Sequence, residues 1–302
     1  MELTRYQFEL LTYIEKRESF ILDHRAISDE ICISGNQVDR DIKFLKKNSY
    51  VEIKDNVISI TEAGKEALEP YRVRRAVILA AGFGSRMMPA TADRPKPLVT
   101  VNGKRIIETL LDALVDAEIE DITIVRGYKK YRFDEILKKY PFVKFIDNDD
   151  YDKFNNISSA ILIGDSFKGG SYLCEADLYI TNPAVITKYQ YTSNILGSWS
   201  LETDDWSFKM DDKGHIRNYQ KGNTYCWNYY GISYWTPEDC EKLNRDWANL
   251  FETENGKDIF WEQVPLQLKP ADYHVEIRPC NKSDIMEIDN YYELAQLDPK
   301  YR

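Results

Sequence analysis

Histidine is scarce in this chain of 302 residues, and its cysteines show no pairing pattern. The three histidines, His24, His215 and His274, are isolated from one another, which argues against catalysis by a histidine base. The five cysteines are scattered, odd in number and without C-x-x-C spacing, a pattern that argues against a disulfide framework and a structural zinc site. Reduced thiols of this kind predict a cytoplasmic protein.

Long apolar runs and an excess of positive charge are also missing. No apolar run approaches the ~20 residues that span a bilayer, and the first residues, Met1–Arg5, lack the apolar core of a signal peptide. The formal net charge of −10 disfavours general binding to nucleic acid or to a membrane surface. The length and composition allow a substantial core, so we expect a soluble globular protein with no membrane partner.

The first 70 residues have the pattern of a small module of their own. Apolar residues at helical spacing predict a helix over Tyr6–Arg17, which Thr4 is placed to cap. A second helix is predicted over Ala26–Cys32 and a third over Gln37–Lys47, and two strands then flank the turn Lys54-Asp55-Asn56. Three helices followed by a two-stranded wing resemble a winged helix-turn-helix domain.

The charge of this module, residues 1–70, bears on whether it binds DNA. The helix from Gln37 takes the recognition position and carries Arg40, Lys43 and Lys47 on one face, which would meet phosphates. The module nevertheless contains ten Lys/Arg and fourteen Asp/Glu, a net charge of −4, whereas DNA readers concentrate positive charge. A role in protein contact or regulation is therefore favoured over DNA binding, and the oligomeric state stays open.

A glycine-rich turn follows an apolar run near the start of the second part of the chain, residues 71–302. The run Arg75–Ala80 is typical of a strand covered on both faces of a parallel sheet, and it leads into Gly82-Phe83-Gly84-Ser85-Arg86. The two glycines let backbone N–H groups approach a polyphosphate, while Arg86 and Lys96 supply positive charge. The pattern is neither G-x-x-x-x-G-K-[ST] nor G-x-G-x-x-G, which excludes a P-loop and argues against a dinucleotide site.

Strand and helix patterns alternate through this second part. Strands are predicted over Val73–Ala80, Asp121–Val125 and Val143–Ile146, with helices over Ile106–Ala117 and Phe133–Lys139. This alternation predicts a doubly wound, mostly parallel α/β sheet of Rossmann-like type, whose ligands bind at the carboxyl ends of the strands. Later in the chain the sequence becomes richer in β-forming and aromatic residues.

The longer pattern L-A-A-G-x-G-S-R-x-x-P-x-T-x-x-x-P-K-P-L resembles the signature of the nucleotidyltransferases that make sugar nucleotides and CDP-alcohols. The segment Asn155–Ser159 resembles the N-N-x-x-S segment of the bacterial CTP:phosphocholine cytidylyltransferases, and the likeness covers almost all of residues 73–297. This resemblance implies that Asn155, Asn156 and Ser158 contact the base and ribose of the nucleotide. The alternative is that these Asn and Ser side chains cap the helix. The implied nucleotide contacts are Leu79, Ala80, Ala81, Gly82, Gly84, Ser85, Arg86, Lys96, Asn155, Asn156 and Ser158.

Two strand patterns end in acidic residues that could hold a metal ion. Ser171–Asp177 is an apolar run ending in carboxylates, and Ile285–Asp289 is a short alternating run ending in Asp. Either Asp alone could instead cap a helix or lie at a solvated strand end. The order of glycine-rich loop, mid-chain Asp and late E-I-D resembles the superfamily, which implies that Asp177 and Asp289 bind Mg²⁺, a hard cation that takes oxygen ligands.

Aromatic residues crowd the second half of this part of the chain. Aromatic faces attract quaternary ammonium groups, and nearby carboxylates add charge attraction, although most of these rings must belong to the core or to a sheet surface. The segment Phe260-Trp261-Glu262 resembles the family's aromatic–aromatic–acid segment, and Trp206 falls where the family has a Trp. These positions, together with Glu287, form the predicted choline pocket.

The resemblance implies that CTP and phosphocholine react to give CDP-choline and pyrophosphate. Asp177 and Asp289 would hold Mg²⁺, Lys96 would stabilise charge at the α-phosphate, and Arg86 would bind the β- and γ-phosphates. A sugar-1-phosphate nucleotidyltransferase stays open as an alternative, although its substrate would need a polar lining. The other alternative is a transcriptional regulator that senses a nucleotide without turnover, which the presence of all four residues disfavours.

Overall fold

Residues 2–302 are described by the computed structural model of the chain, and they group into two units. The smaller unit comprises the chain up to Arg72 together with the short segment Tyr189–Tyr191. The larger unit comprises Val73–Lys188 and Thr192–Arg302. No sequence pattern had indicated that Tyr189–Tyr191 packs with the first 70 residues.

The smaller unit contains, within the described residues, four α-helices and a three-stranded sheet. Its elements are α1 (Arg5–Arg17), β1 (Ser19–Ile21), α2 (His24–Glu30), α3 (Gly35–Lys47), β2 (Val51–Lys54), β3 (Val57–Ile60) and α4 (Glu62–Leu68). The strands pair antiparallel in the order β1-β3-β2. Thr4 caps α1 in a capping box with Gln7, whose backbone N–H donates to the Thr4 hydroxyl.

Aromatic packing joins the segment Tyr189–Tyr191 to the rest of the smaller unit. The ring of Tyr191 stacks on Tyr71 with centroids 5.5 Å apart and lies 5.3 Å from the ring of Phe8 in α1. Strand β1 is an element that the sequence analysis missed, and it adds a third strand to the sheet of the predicted wing. The winged-helix assignment itself stays a prediction.

The larger unit is built on a seven-stranded sheet. Its elements are β4 (Arg75–Ala80), β5 (Thr100–Val101), β6 (Lys104–Arg105), α5 (Ile106–Asp116), β7 (Asp121–Arg126), β8 (Lys144–Asp147), α6 (Ile157–Ala160), β9 (Ser171–Glu175), β10 (Leu178–Ile180), β11 (Asn194–Met210), β12 (Ile216–Trp235), α7 (Pro237–Phe251), β13 (Glu276–Pro279), β14 (Ile285–Glu287) and α8 (Tyr291–Leu297). The large sheet has the strand order β13-β11-β12-β9-β4-β7-β8. Four of its six strand pairings are parallel, which confirms the predicted α/β fold with a mainly parallel sheet.

Strand β4 lies inside the sheet, with β7 on one side and β9 on the other, both parallel to it. Its side chains alternate between two apolar clusters, one with Ile78 and Leu111 of α5, the other with Val77 and Trp247 of α7. Helices therefore cover both faces of the sheet, as a doubly wound arrangement requires. Burial on both faces explains why the sequence of β4 is a continuous apolar run.

Strands β10 and β14 form a separate antiparallel pair in which Leu178 lies opposite Glu287. Because the strands run in opposite directions, the start of β10 lies beside the end of β14. Asp177 directly precedes β10, and Asp289 follows shortly after β14. This pairing brings the two predicted metal ligands together although they are far apart in the sequence.

The region predicted to be helical over Phe133–Lys139 is a 3₁₀-helix, Lys130–Lys138. Phe133 and Ile136 are buried in it, so the apolar pattern indicated the buried face correctly but not the length of the element. Among residues 2–302, none of the helices has both the length and the apolar character needed to cross a bilayer.

Candidate active site

A cavity of about 820 Å³ opens at the carboxyl ends of β4 and β9 in the larger unit. Parallel α/β sheets bind their ligands at this edge. The glycine-rich turn after β4 forms one side of the cavity, and side chains from the β11–β12 hairpin and from the chain around Phe260 form the other. All of the predicted nucleotide contacts line it, namely Leu79, Ala80, Ala81, Gly82, Gly84, Ser85, Arg86, Lys96, Asn155, Asn156 and Ser158.

Gly84 fixes the shape of the glycine-rich turn. Its φ of +62° is left-handed, and a Cβ at this position would lie only 2.7 Å from the Cβ of Lys96, so both backbone conformation and space require glycine. The Thr91 hydroxyl donates to the Gly84 carbonyl at 3.0 Å and holds the turn. A Cβ at Gly82 would have nothing within 4 Å, which leaves that part of the backbone open to the cavity.

Lys96 is buried between the two predicted metal ligands. Its Nζ lies 3.0 Å from Asp177 Oδ2 and 3.4 Å from Asp289 Oδ1, and the residue is only 6% exposed. Burial lowers the pKa of the ammonium, but the charges of the two aspartates outweigh burial, so the pKa of Lys96 lies above its ordinary value. Lys96 is therefore a permanent cation on the cavity wall at neutral pH.

Arg86 pairs with the same carboxylate from the solvent side. Its guanidinium donates to both oxygens of Asp289, at 3.1 and 3.2 Å, and its side chain is 71% exposed. The two predicted phosphate-binding cations thus differ in setting, since Lys96 is fixed in the wall while Arg86 is reachable from outside. Arg86 and Lys96 both pair with Asp289, so a negative charge lies between two positive charges on this side of the cavity.

Asp289 also belongs to a cluster of carboxylates. One carboxylate oxygen each from Asp205, Glu287 and Asp289 lies within 4.8 Å of the others. Asp177 is outside this cluster but is linked to Asp289 through Lys96. A donor set made only of carboxylate oxygens fits a hard divalent cation such as Mg²⁺.

The sequence analysis missed Asp205 as a member of the cluster. Between Thr203 and Trp206, strand β11 advances three residues while β12 advances only two, so β11 contains a bulge of one residue. Thr203, Asp204, Asp205 and Trp206 all line the cavity. The signal available in the sequence was the acidic pair Asp204-Asp205 directly before the predicted Trp206, but no pattern indicated the bulge.

The predicted cytidine contacts are already engaged with neighbouring protein groups. Asn156 stands at the start of α6 without capping it through its side chain, and its Oδ1 instead accepts from the Trp261 backbone N–H at 2.8 Å. The Asn155 side chain donates to the Asp258 carbonyl, and Ser158 accepts from Asn148. The Asn155 Oδ1 also accepts from the Asn156 backbone N–H at 2.7 Å, at the start of α6. Contact of these side chains with a nucleotide stays a prediction.

Aromatic side chains form part of the opposite wall. Trp206 stacks on Tyr219 with centroids 4.8 Å apart, and the ring of Phe260 lies 6.1 Å from Trp206 in an edge-on arrangement. Trp206, Phe260 and Tyr229 line the cavity together with the carboxylate of Glu262. This wall offers ring faces and negative charge, which together attract cationic nitrogen.

Comparison with known proteins identifies the family. The Nucleotidyl transferase family model matches residues 75–193. Over 228 residues the chain is 36% identical to a 2-aminoethylphosphonate cytidylyltransferase of Lancefieldella rimae, which covers 75% of this chain and 92% of that relative. The chain belongs to the nucleotidyl transferase family. The resemblance stated from its glycine-rich signature is thereby confirmed.

Two further matches to this nucleotidyl transferase concern enzymes of Streptococcus pneumoniae. A choline-phosphate cytidylyltransferase is 31% identical over 232 residues, 74% of this chain and 96% of the relative. The solved structure of the CTP:phosphocholine cytidylyltransferase aligns with a TM-score of 0.69 and 27% identity, covering 76% of this chain and all of that one. The relatives thus share cytidylyl transfer and differ in the acceptor that their names give.

Trp261 does not belong to the acceptor wall of this nucleotidyl transferase. Its indole is fully buried, with centroids 6.2 Å from Trp235 and 6.0 Å from Trp247, both edge-on. It is absent from the cavity lining, whereas the preceding Phe260 is present, so the contact of Trp261 with the acceptor stays a prediction that its buried position does not support. Neighbouring residues in this segment point in different directions, and the larger ring fills the core.

We expect Trp206→Ala and Trp261→Ala to separate these two roles. Trp261→Ala should lower the free energy of unfolding by about 3–5 kcal/mol because it empties a core site. Trp206→Ala should raise the acceptor KM about ten-fold through loss of a ring face, with the CTP KM nearly unchanged. Urea unfolding and steady-state kinetics of both variants test the assignment, which fails if Trp261→Ala unfolds normally and alone weakens acceptor binding.

Three glutamates, Glu175, Glu262 and Glu287, line the cavity beside the aromatic wall. Burial raises the pKa of Glu262 to about 7, although the hydrogen bond from the Tyr219 hydroxyl favours its ionised form. Desolvation, followed by the charges of neighbouring aspartates, raises the pKa of Glu287 to about 8. Burial and then the charge of Glu262 raise the pKa of Glu175 well above its usual range.

The raised pKa of Glu262 predicts a pH-dependent effect on stability. The pKa of this carboxyl is near 4.5 in the unfolded protein and about 7 in the folded protein. Its ionisation therefore destabilises the fold increasingly as the pH rises from 4.5 through 7. Glu262→Gln should therefore gain stability relative to the unmodified protein by about 2 kcal/mol between pH 5 and pH 8. Urea unfolding at pH 5, 6.5 and 8 measures the difference, and a difference independent of pH would contradict the assignment.

Proposed function

We propose that this nucleotidyl transferase moves CMP from CTP to a small acceptor that carries both a phosphorus oxyanion and a cationic nitrogen. The observation that supports this most is the composition of the cavity described above. Lys96 and Arg86 lie on the side of the glycine-rich turn, and Trp206, Phe260 and Glu262 lie on the side of the hairpin. Such a cavity complements a polyphosphate on one side and an organic cation on the other.

CTP is the proposed nucleotide because the relatives that match most of this chain are cytidylyltransferases. In the proposed complex the triphosphate lies along the turn, where the backbone at Gly82 is open and Gly84 allows close approach. Asn155, Asn156 and Ser158 line the same cavity and are the proposed neighbours of the base and ribose.

In the proposed reaction an oxygen of the acceptor's phosphate or phosphonate attacks the α-phosphorus of CTP. A bond forms between that oxygen and phosphorus, and the bond to the β-phosphate oxygen breaks, releasing pyrophosphate. The oxyanion is already a competent nucleophile, so positioning and charge stabilisation suffice without a protein base. Lys96 would stabilise charge developing at the α-phosphate, and Arg86 would bind the β- and γ-phosphates.

Asp177 and Asp289 are the proposed ligands of Mg²⁺, with Asp205 and Glu287 close to Asp289. Bound Mg²⁺ would supply positive charge against the phosphates. The protein's part is to hold these carboxylates close to one another despite their repulsion. Lys96, paired with both aspartates, does so from within the wall.

Two acceptors meet this description. Phosphocholine is the acceptor predicted from the sequence, and the pneumococcal relative is named for it. 2-Aminoethylphosphonate is the other, and the relative with 36% identity is named for it. A sugar 1-phosphate, the alternative, has no cation to face the three cavity glutamates.

An acceptor panel tests the proposal. The purified protein is incubated with CTP, Mg²⁺ and one of 2-aminoethylphosphonate, phosphoethanolamine, phosphocholine or glucose 1-phosphate, and the CMP conjugate is quantified by mass spectrometry. We expect conjugates with the nitrogen-containing acceptors and none above background with glucose 1-phosphate. A preference for glucose 1-phosphate would overturn the proposal. UTP, tested in parallel, should be a poor donor.

A further inference from the structure

We infer that the nitrogen of the acceptor is a primary ammonium whose N–H groups bind Glu262, Glu175 and Tyr229 in the cavity. The inference rests on the proposed function and names the acceptor class, an aminoalkyl phosphonate or phosphate. The inference follows from oxygen atoms in the cavity that accept no hydrogen bond from the protein. A primary ammonium can donate to these oxygens, whereas a trimethylammonium cannot.

Glu262 is the first of these groups. The residue is 3% exposed and lines the cavity, and its Oε2 has no hydrogen-bond partner, while its Oε1 accepts from the Tyr219 hydroxyl at 3.3 Å. The buried hydroxyl of Tyr229 likewise lacks a partner and lines the same cavity. Buried polar atoms without partners are rare in folded proteins and each calls for a ligand or other explanation.

Glu175 is the third of these groups, and its position depends on a glycine of the neighbouring strand. A Cβ at Gly231 would lie 2.4 Å from Glu175 Oε2, so a glycine on β12 is what lets this carboxylate occupy its position. Within residues 2–302, the Glu175 carboxylate makes neither a hydrogen bond nor an ion pair, although it lines the cavity.

The nearby cations of the protein do not pair with these carboxylates. Lys96 donates to Asp177 and Asp289, and Arg86 to Asp289. Lys221 lines the cavity, but in the described part of the chain it is within ion-pair distance of neither glutamate. Two carboxylates that form no ion pair with a protein cation are stabilised when a cationic ligand enters the cavity.

The number of N–H donors then decides between the two kinds of acceptor. A primary ammonium has three donors and can satisfy both carboxylates and the Tyr229 oxygen. A trimethylammonium has none, so its binding would leave the buried oxygens of Glu262 and Tyr229 without partners, at a cost of roughly 10- to 100-fold in affinity. Trp206 and Phe260 attract either cation and therefore do not discriminate.

Matched substrate pairs test the inference. The kcat/KM is measured with CTP for 2-aminoethylphosphonate against its N,N,N-trimethyl analogue, and for phosphoethanolamine against phosphocholine. We expect the primary ammonium to be favoured at least ten-fold in both pairs, and the pair with the higher values identifies phosphonate or phosphate as the source of the oxyanion. If the trimethyl compound is favoured in either pair, the inference is wrong while the proposed function stands. If none of the four is a substrate, the proposed function fails.

Three variants assign the effect to the named residues. Glu262→Gln keeps the side-chain shape, and Tyr229→Phe removes one oxygen. Gly231→Ala displaces the Glu175 carboxylate without changing charge. Each should reduce the preference for the primary ammonium at least five-fold, with the CTP KM unchanged.

Glu241→Gln, which alters an exposed carboxylate on α7, is the matched control and should leave the preference intact. Circular dichroism shows which of the three variants fold. The inference is overturned if every variant that folds keeps the full preference for the primary ammonium. Since Tyr229→Phe is a minimal change, its result alone decides if the other two fail to fold.

Discussion

Asp289→Asn and Asp177→Asn should each reduce turnover on the order of 100-fold or more, comparable to removing one principal electrostatic contact at a reaction centre. Asp289 contacts Lys96 and Arg86 and lies within the carboxylate cluster, so the substitution removes a charge on which three kinds of contact depend. Asp177 is the other carboxylate that holds Lys96. Both losses should persist at saturating Mg²⁺, CTP and acceptor.

The measurement is steady-state pyrophosphate release across a range of Mg²⁺ concentrations. Asp212→Asn, which alters an exposed aspartate in the turn between β11 and β12, is the matched control and should retain full activity. Rates near those of the unmodified protein in both cavity variants would remove Asp177 and Asp289 from the proposed metal site. A loss restored fully by higher Mg²⁺ would limit their role to metal affinity.

Lys96→Ala should lower kcat on the order of 100-fold while changing the CTP KM little. The reason is that Lys96 is fixed in the wall by two aspartates, where it would meet charge that develops only in the transition state. Arg86→Ala, at an exposed position on the glycine-rich turn, should instead raise the CTP KM about ten-fold with a smaller change in kcat.

Steady-state kinetics of the two variants measure this partition, and thermal unfolding shows whether both fold. Lys96→Ala leaves Asp177 and Asp289 without their buried partner, so we also expect it to be less stable than Arg86→Ala. If Arg86→Ala loses kcat and Lys96→Ala loses only CTP affinity, the two roles are reversed.

The glycine-rich turn could be predicted from the sequence because its chemistry is local. Gly84 needs glycine for its left-handed backbone and for its approach to Lys96, two requirements that are visible in one short motif. The continuous apolar run of β4 likewise follows from burial on both faces of a parallel sheet. The family and the α/β fold were therefore within reach of the sequence, and both are confirmed.

Residues of the acceptor side were harder to predict because they depend on non-local geometry. Asp205 enters the cavity through a bulge in β11, and no periodic pattern marks where a long strand gains one residue. Trp261 lies next to Phe260, yet one ring is buried in the core and the other faces the cavity. Composition indicated an aromatic pocket, but only the packing decides which rings form it.

The unpartnered groups of the cavity could not be predicted at all. Glu175 depends on the missing side chain of Gly231, which lies on another strand. The free oxygen of Glu262 is known only once every neighbouring donor has been placed. The phosphocholine acceptor predicted from the sequence rested on a family resemblance and on aromatic and acidic residues, and ring faces are compatible with either kind of ammonium.

Pyrophosphate release from CTP with and without 2-aminoethylphosphonate is the most direct test of the proposed activity. We predict that release requires Mg²⁺ and the acceptor, and that one CMP conjugate is formed for each pyrophosphate. The Lys96→Ala protein, measured alongside, should release little of either product. If the unmodified protein binds CTP in a titration yet releases no pyrophosphate with 2-aminoethylphosphonate, phosphoethanolamine or phosphocholine, the site senses a nucleotide without turnover and the account is contradicted.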